Sequence, residues 1–224
     1  MKRSEINRII VEAKEFMLSK QFMLPPWGYW SLDQWRQNKG DAAGIIDHLL
    51  GWDITDFGLG DFHKRGLVLF TIRNGKIGKD AKPYAEKIMI VEEGQETPMH
   101  FHWSKMEDII CRSGGNLVME LCNSKPDEEY DTTPVYANID AITRIVEPGG
   151  KIILTPGESI CLQKGLYHCF YGEAGKGKVL VGEVSAVNDD NTDNRFYEPI
   201  PRFPAIEEDE EPVHLLCGDY GRFL

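Results

Sequence analysis

Basic residues are scarce in this chain: 25 lysines and arginines stand against 36 aspartates and glutamates, a net charge of −11 over 224 residues. Nucleic acids and anionic membrane surfaces are drawn to a basic face, so that balance argues against both as partners. No run of about 18 apolar residues is present, so no membrane-spanning helix is predicted. The opening Met1-Lys-Arg-Ser-Glu-Ile6 lacks the continuous apolar core of a secretory signal. Cysteine is sparse and unpatterned: Cys111, Cys122, Cys161, Cys169 and Cys217 are odd in number and form no C-x-x-C pair. Free thiols in a reducing cytoplasm are expected, not disulfides. No stretch reads as a flexible interdomain linker, no helix-turn-helix pattern is present, and no internal repeat occurs beyond two short histidine-bearing motifs. One domain is therefore expected.

With 42% hydrophobic residues, the chain can bury a sizeable core. From Ser4 to about Lys20, Ile6, Ile9, Ile10, Ala13, Phe16 and Met17 recur at helical spacing, and Ser4 can serve as N-cap. This helix is expected either to pack on the outside of its own fold or to serve a dimer contact. Leu24-Pro-Pro-Trp-Gly-Tyr-Trp30 is irregular because of its prolines, and Trp35 and Trp52 follow closely. Such aromatics either pack at one end of the fold or line a carbohydrate site. His48 and His63 have no partner at ligand spacing and read as structural.

From Gly66 the texture becomes β. Strands are predicted over Leu67–Ile72, Glu86–Val91, Ile109–Cys111, Asn116–Leu121, Lys151–Leu154, Ser159–Leu162, His168–Tyr171 and Lys178–Ser185, punctuated by turns at Asn74-Gly75, Pro148-Gly149 and Pro156-Gly157. Short strands at regular spacing indicate a sandwich or barrel. The chain divides into a helical and aromatic extension (1–65), a barrel core (66–187) and a C-terminal arm (188–224). The run Glu207-Glu-Asp-Glu-Glu211 reads as a solvated acidic face.

The chemistry concentrates in Gly94-Gln-Glu-Thr-Pro-Met-His100-Phe-His102-Trp-Ser-Lys105-Met-Glu107, closed by Gly114. Residues i and i+2 of a strand share a face, so His100 and His102 project together. Glu107 can return to the same spot on the next strand, and His168 lies in a second Gly-bounded segment, Gly157 to His168. Three imidazoles and a carboxylate suit a divalent transition metal; Mn, Fe, Co, Ni and Zn all remain open. Structural zinc sites favour cysteine, and no cysteine falls at a ligand position, so a working metal is favoured over a staple. Lys105 is either a turn lysine or a proton carrier beside the metal. Glu183, alone among apolar neighbours in its strand, faces the interior or solvent. Asp190, Asp193, Asn194, Arg195 and Glu198 follow the last strand, and their carboxylates and amides suit a polyol if that segment covers the barrel mouth.

The pattern G-x5-H-x-H-x4-E-x6-G from Gly94 to Gly114 is the first motif of the cupin superfamily. Gly157, Gly165 and His168 meet the second, with Gln163 and Gly172 in place of its proline and asparagine. Over nearly its full length the sequence resembles the D-lyxose ketol-isomerases. The resemblance is carried by Lys2-Arg-Ser-Glu-Ile-Asn7, Pro25-Pro-Trp-Gly-Tyr-Trp30, His100-Phe-His-Trp-Ser-Lys-Met-Glu107 and Asp190-Asn-Thr-Asp-Asn-Arg-Phe196. It implies a cupin-type β-barrel (a double-stranded β-helix or jelly roll) with an N-terminal helical extension, a manganese-dependent cytoplasmic enzyme and a homodimer. The reactions implied are D-lyxose to D-xylulose and D-mannose to D-fructose, through an enediolate. His100, His102, Glu107 and His168 would then hold the metal. Lys105 is the first candidate for proton transfer, with Glu198 and Glu183 behind it. Lys105, Asp190, Asp193, Asn194 and Glu198 would hold the sugar. Two other readings use the same barrel: an Fe(II) dioxygenase on the same ligands, and a non-catalytic sugar-binding cupin.

Overall fold

A computed structural model describes residues 1–187, 189 and 192–224 of the chain. After helix α1 (Arg3–Ser19), the strands run β1 Gly51–Thr55, β2 Leu67–Arg73, β3 Tyr84–Val91, β4 Thr97–Phe101, β5 Glu107–Gly114, β6 Leu117–Asn123, β7 Val135–Ile139 and β8 Ile142–Val146. They continue with β9 Gly150–Leu154, β10 Ser159–Leu162, β11 Leu166–Gly172, β12 Val179–Ala186 and β13 Arg195–Phe196. Two antiparallel sheets form, one of eight strands in the order β1-β2-β3-β12-β5-β10-β7-β8 and one of five in the order β13-β4-β11-β6-β9. This is the cupin-type barrel that the motifs imply. Strand alternation fills its interior: Leu69 of β2, Met89 of β3, Ile109 of β5, Met119 of β6, Phe170 of β11 and Val181 of β12 belong to one buried cluster.

The opposite parity builds the outside. Val68 and Phe70 of β2, Ile88 and Ile90 of β3 and Leu180 of β12 point away from the barrel and are covered by Ile6, Ile9, Ile10, Ala13 and Met17 of α1. The amphipathic helix therefore packs on its own barrel, and its apolar stripe is spent there. The tryptophans also pack: Trp27 stacks on Phe70 with ring centroids 5.0 Å apart, and the Trp52 indole N–H donates to the Gly28 carbonyl. None of them lines the metal-ligand cavity described below.

Three features differ from the reading of the sequence. Gly51–Thr55 is a strand buried at every position, so its sequence carries no alternation to betray it. The hairpin β7–β8 was also not anticipated; its second strand is exposed at all positions but the last. The acidic run lies on the surface as expected, with Glu207, Asp209, Glu210 and Glu211 exposed, but it also serves as an anchor. Asp209 accepts the Ser4 backbone N–H and hydroxyl at the start of α1, where the N-cap Lys2 contributes no side-chain bond. Ser4 is therefore not the N-cap but the second helical residue, and its free N–H is satisfied by Asp209 from the far end of the chain. Arg3, fully buried, donates in a bidentate fork to Glu208 and in another to Asp219.

Two glycines show how closely the backbone packs around the motifs. Gly114 adopts φ +94, and a Cβ there would stand 2.3 Å from the Lys178 carbonyl oxygen. Gly172, which replaces the asparagine of the second motif, closes on the first: Gly94 donates to its carbonyl, and it donates to the Glu92 carbonyl. A Cβ at 172 would meet that carbonyl oxygen at 2.7 Å, so a larger residue is excluded by this turn.

Candidate metal centre

Sheet register brings the ligand residues together. His100 of β4 lies directly across from His168 of β11, and His102 follows two residues on, just past the strand end. The turn of the second motif is tied to the first, because Gly165 donates its N–H to the His102 carbonyl at 3.0 Å. Glu107 opens β5 and reaches the same point. One ring nitrogen from each histidine lies within 4.8 Å of the others, and Glu107 Oε1 is 3.1 Å from His168 Nε2 and 3.3 Å from His102 Nε2.

The tautomers follow from the second bonds of each ring. His100 Nδ1 donates to the Pro98 carbonyl, His102 Nδ1 to the Asp193 carbonyl and His168 Nδ1 to the Leu166 carbonyl, at 2.8, 2.7 and 3.0 Å. A carbonyl only accepts, so Nδ1 carries the proton and Nε2 presents a lone pair. Burial, with His168 and His102 close by, holds the His100 imidazole well below its ordinary pKa and so neutral. Burial alone would raise the Glu107 carboxyl, but Lys105 and the histidines outweigh it and hold the group well below the usual carboxylate range. The neutral His100 imidazole, the Nε2 edges of His102 and His168 and the ionised Glu107 carboxylate thus converge on one point. His168 Nε2 is buried and has no hydrogen-bond partner among the described residues. Such a set could hold a cation, and its N3O chemistry fits a divalent transition ion.

Beside the ligands lies a buried charge chain. Lys105 Nζ stands 2.6 Å from Glu107 Oε2 and 2.9 Å from Glu183 Oε1, and Lys87 Nζ is 3.4 Å from that same Glu183 oxygen. Glu183 faces the interior, directly across from Lys87 in the β12–β3 register. A cavity of about 50 Å³ opens on this group, lined also by Thr97, Asn194, Phe196 and Arg202. It adjoins a cleft of about 510 Å³, and Leu69 and Lys87 belong to both walls.

The segment after β12 divides in its roles. The Asp193 carboxylate accepts the N–H groups of Ser104 and Lys105, at 2.8 and 3.0 Å, and so braces the loop between His102 and Glu107 instead of facing the cavity. Asn194 lines the cavity. Glu198 stands apart, paired with Arg65 at 2.7 Å and more than half exposed. Asp190 lies outside the described residues. His48 and His63 pair with Asp80 and Glu92, away from the centre.

A family model described as D-lyxose isomerase matches residues 1–220. The chain belongs to the D-lyxose isomerase family. Two curated relatives named D-lyxose/D-mannose isomerase, from Serratia proteamaculans and Escherichia coli O157:H7, are each 48% identical to this D-lyxose isomerase family member, with all of both chains covered. Among solved structures, an L-ribose isomerase from Acinetobacter sp. DL28 superposes with a TM-score of 0.61 over 92% of this chain and 98% of that one. At 14% identity that likeness speaks for the fold. Family membership makes the chain an enzyme, an aldose–ketose isomerase of sugars.

Lys87, Thr97 and Arg202 were not anticipated at the site. Lys87 had a legible signal, since it shares strand parity with Ala85, Met89 and Val91, all buried. Arg202 had none. It comes from the C-terminal arm, where it pairs with Asp53 at 2.6 Å and stands over Phe57 and Phe203.

Proposed function

We propose that this chain is a divalent-metal-dependent isomerase that interconverts D-lyxose with D-xylulose and D-mannose with D-fructose by proton transfer through an enediolate. The observation that carries the reading is the convergence of three Nε2 lone pairs and Glu107 Oε1 beside the Lys105–Glu183 pair. The names of the full-length relatives support the substrate choice. His100, His102, His168 and Glu107 hold the ion, most simply Mn²⁺, which when bound supplies Lewis-acid stabilisation for negative charge developing on the sugar's oxygens.

The chain's own residues handle the protons. Moving the carbonyl between C1 and C2 requires one proton to leave carbon and return to its neighbour, and another to pass between the two oxygens. Glu183, as a carboxylate, accepts the carbon-bound proton. Lys105, as an ammonium 2.9 Å away, donates to the oxygen that gains charge, and the return step reverses both roles. Asn194 and Lys87 hold hydroxyls, and the adjoining cleft gives the distal carbons room. Burial of Lys105, Glu107 and Glu183 keeps water from the exchange. The five free thiols suit a reducing cytosol.

The test is anaerobic turnover of metal-stripped protein reloaded with Mn(II), offered D-lyxose and D-mannose in D₂O and followed by NMR. Ketose formation, lost on chelation and with the transferred hydrogen on carbon largely retained as protium because water is kept from the exchange, is the expected result. No ketose from any pentose or hexose with metal bound would sink the reading. Turnover only with oxygen and Fe(II) would replace it by an oxygenase on the same ligands.

A further inference from the structure

The loop 103–106 carries the chain from His102 to Glu107 and holds Lys105. It lies between β4 and β5, so the Ser104 and Lys105 amides stand outside the strand ladders. A buried N–H without a partner costs free energy comparable to a lost hydrogen bond. One residue of the C-terminal arm meets that need. Asp193 is 7% exposed, and its carboxylate accepts the two successive N–H groups, one on each oxygen, at 2.8 and 3.0 Å. Successive amides of this kind make a concave seat for an anion. The carbonyl of the same residue accepts His102 Nδ1 at 2.7 Å.

His100 and His168 are held differently. Each donates its Nδ1 proton to a carbonyl two residues earlier, Pro98 and Leu166, so their bonds form as their own strands form. His102 is oriented by a residue 91 positions away. The rotation of one ligand ring and the backbone that carries Lys105 therefore both depend on where Asp193 sits. The arm is tied down beside it. Arg195 and Phe196 pair with Phe101 and His100, and Arg195 Nε shares the Glu128 carboxylate with the Trp103 indole N–H, at 2.6 and 2.8 Å. β13 is only two residues long, so its ladder is a weak fastening. The buried carboxylate, with two charge-assisted bonds, is the stronger tie.

We propose that Asp193 is a positioning residue for the isomerase reaction: its carboxylate holds the loop 103–106 so that His102 Nε2 faces the other ligands and Lys105 Nζ stands between Glu107 and Glu183. It acts through these residues, and it is not part of the cavity wall. That role presupposes the metal-dependent reading above. Linkage gives it a measurable form. If the brace favours the ligand-competent His102, an ion at the centre favours the brace by the same factor. Partners that orient a metal-ligating histidine are worth roughly ten- to a hundredfold in affinity or activity. About tenfold is expected here, because the carbonyl that His102 uses belongs to the backbone and survives substitution of the side chain.

Asp193→Ala removes both acceptors. Asp193→Asn keeps the volume and one acceptor but turns an amide donor toward a backbone N–H. In the full chain, both variants are expected to bind Mn²⁺ about tenfold more weakly by calorimetry. At saturating Mn²⁺ both should lose about tenfold in kcat for D-lyxose, with KM changed by less than about twofold. Hydrogen exchange on the wild type stands independently of whether the variants fold. Its Ser104 and Lys105 amides should exchange about tenfold more slowly in the Mn²⁺-loaded chain than in the metal-free chain. A raised KM at constant kcat would make Asp193 a sugar ligand instead. A lowered melting temperature with Mn²⁺ affinity and kcat per folded molecule unchanged would make it a structural residue. Exchange of both amides indifferent to Mn²⁺ would break the linkage. Each of these overturns the proposal. A wild type that binds Mn²⁺ yet makes no ketose fails the functional reading instead, and the Mn²⁺ affinity of the variants then decides whether Asp193 positions His102.

Discussion

Two clusters in this molecule hold a buried cation between two carboxylates, and they differ in what is left over. At the seam of the termini, Arg3 meets Glu208 and Asp219, and its fork of N–H groups saturates both acids. Inside the barrel, Lys105 meets Glu107 and Glu183, but three imidazole lone pairs also face Glu107 or its neighbours, and His168 Nε2 has no donor. The first cluster is balanced and staples α1 to the C-terminal arm. The second gathers acceptors around one point, which on the proposed reading would hold a cation and pass protons. The count of donors against acceptors, more than the presence of buried charge, separates a fastening from a working site.

The contrast makes four predictions, taken from the largest effect to the smallest. His168→Ala removes the acceptor that faces His100 across the strands. It should lower turnover by more than about a thousandfold and weaken Mn²⁺ binding measured by calorimetry, while melting temperature without metal holds or rises, because a buried lone pair without a donor is gone. Lys105→Ala should cut kcat by about a hundredfold or more while Mn²⁺ still binds. Full activity in that variant with metal bound would remove Lys105 from proton transfer.

Arg3→Leu does the opposite. It strands Glu208 and Asp219 beside a buried surface and should cost about 3 kcal/mol in urea unfolding, with kcat per folded molecule unchanged. Equal loss of activity and stability would couple the two clusters. The smallest effect concerns acid. Glu208 is held below its ordinary value chiefly by the bond from Arg3, and Asp209 by the Ser4 N–H. A carboxyl with a lowered folded pKa contributes stability above its unfolded value, near 4, and that contribution drains as pH falls through the folded value. Melting temperature should therefore be steady from neutral pH to about pH 4.5, and fall below that more steeply in the wild type than in Glu208→Gln. The Glu208 share is about 1 kcal/mol or less because its edge lies at the surface, where ion pairs are screened.

The candidate metal ligands were legible because their geometry is local. Strand parity puts His100 and His102 on one face whatever the rest of the chain does, and the glycines around them mark turns that only glycine fills. The α1 stripe was legible for the same reason, although its packing partner was not. Asp193 shows where this kind of reading stops: its residue type suits a polyol, yet its neighbours in space are the amides of Ser104 and Lys105, almost ninety residues earlier. β1 and β8 escaped because they lack the half-buried alternation by which a strand is recognised, one being covered on all sides and the other on almost none.

By itself, then, the order of residues determined the kind of barrel, the four candidate ligand side chains and the helix that coats the outside, since periods of two and near four are properties of the backbone alone. Tertiary structure decided which charges are partners. The β12–β3 register set Glu183 against Lys87, the return of the C-terminal arm brought Arg202 to the cavity, and the acidic run came to rest on the first turn of α1. An electrostatic bond depends on distance in space, and no spacing along the chain encodes that distance until the sheets have closed.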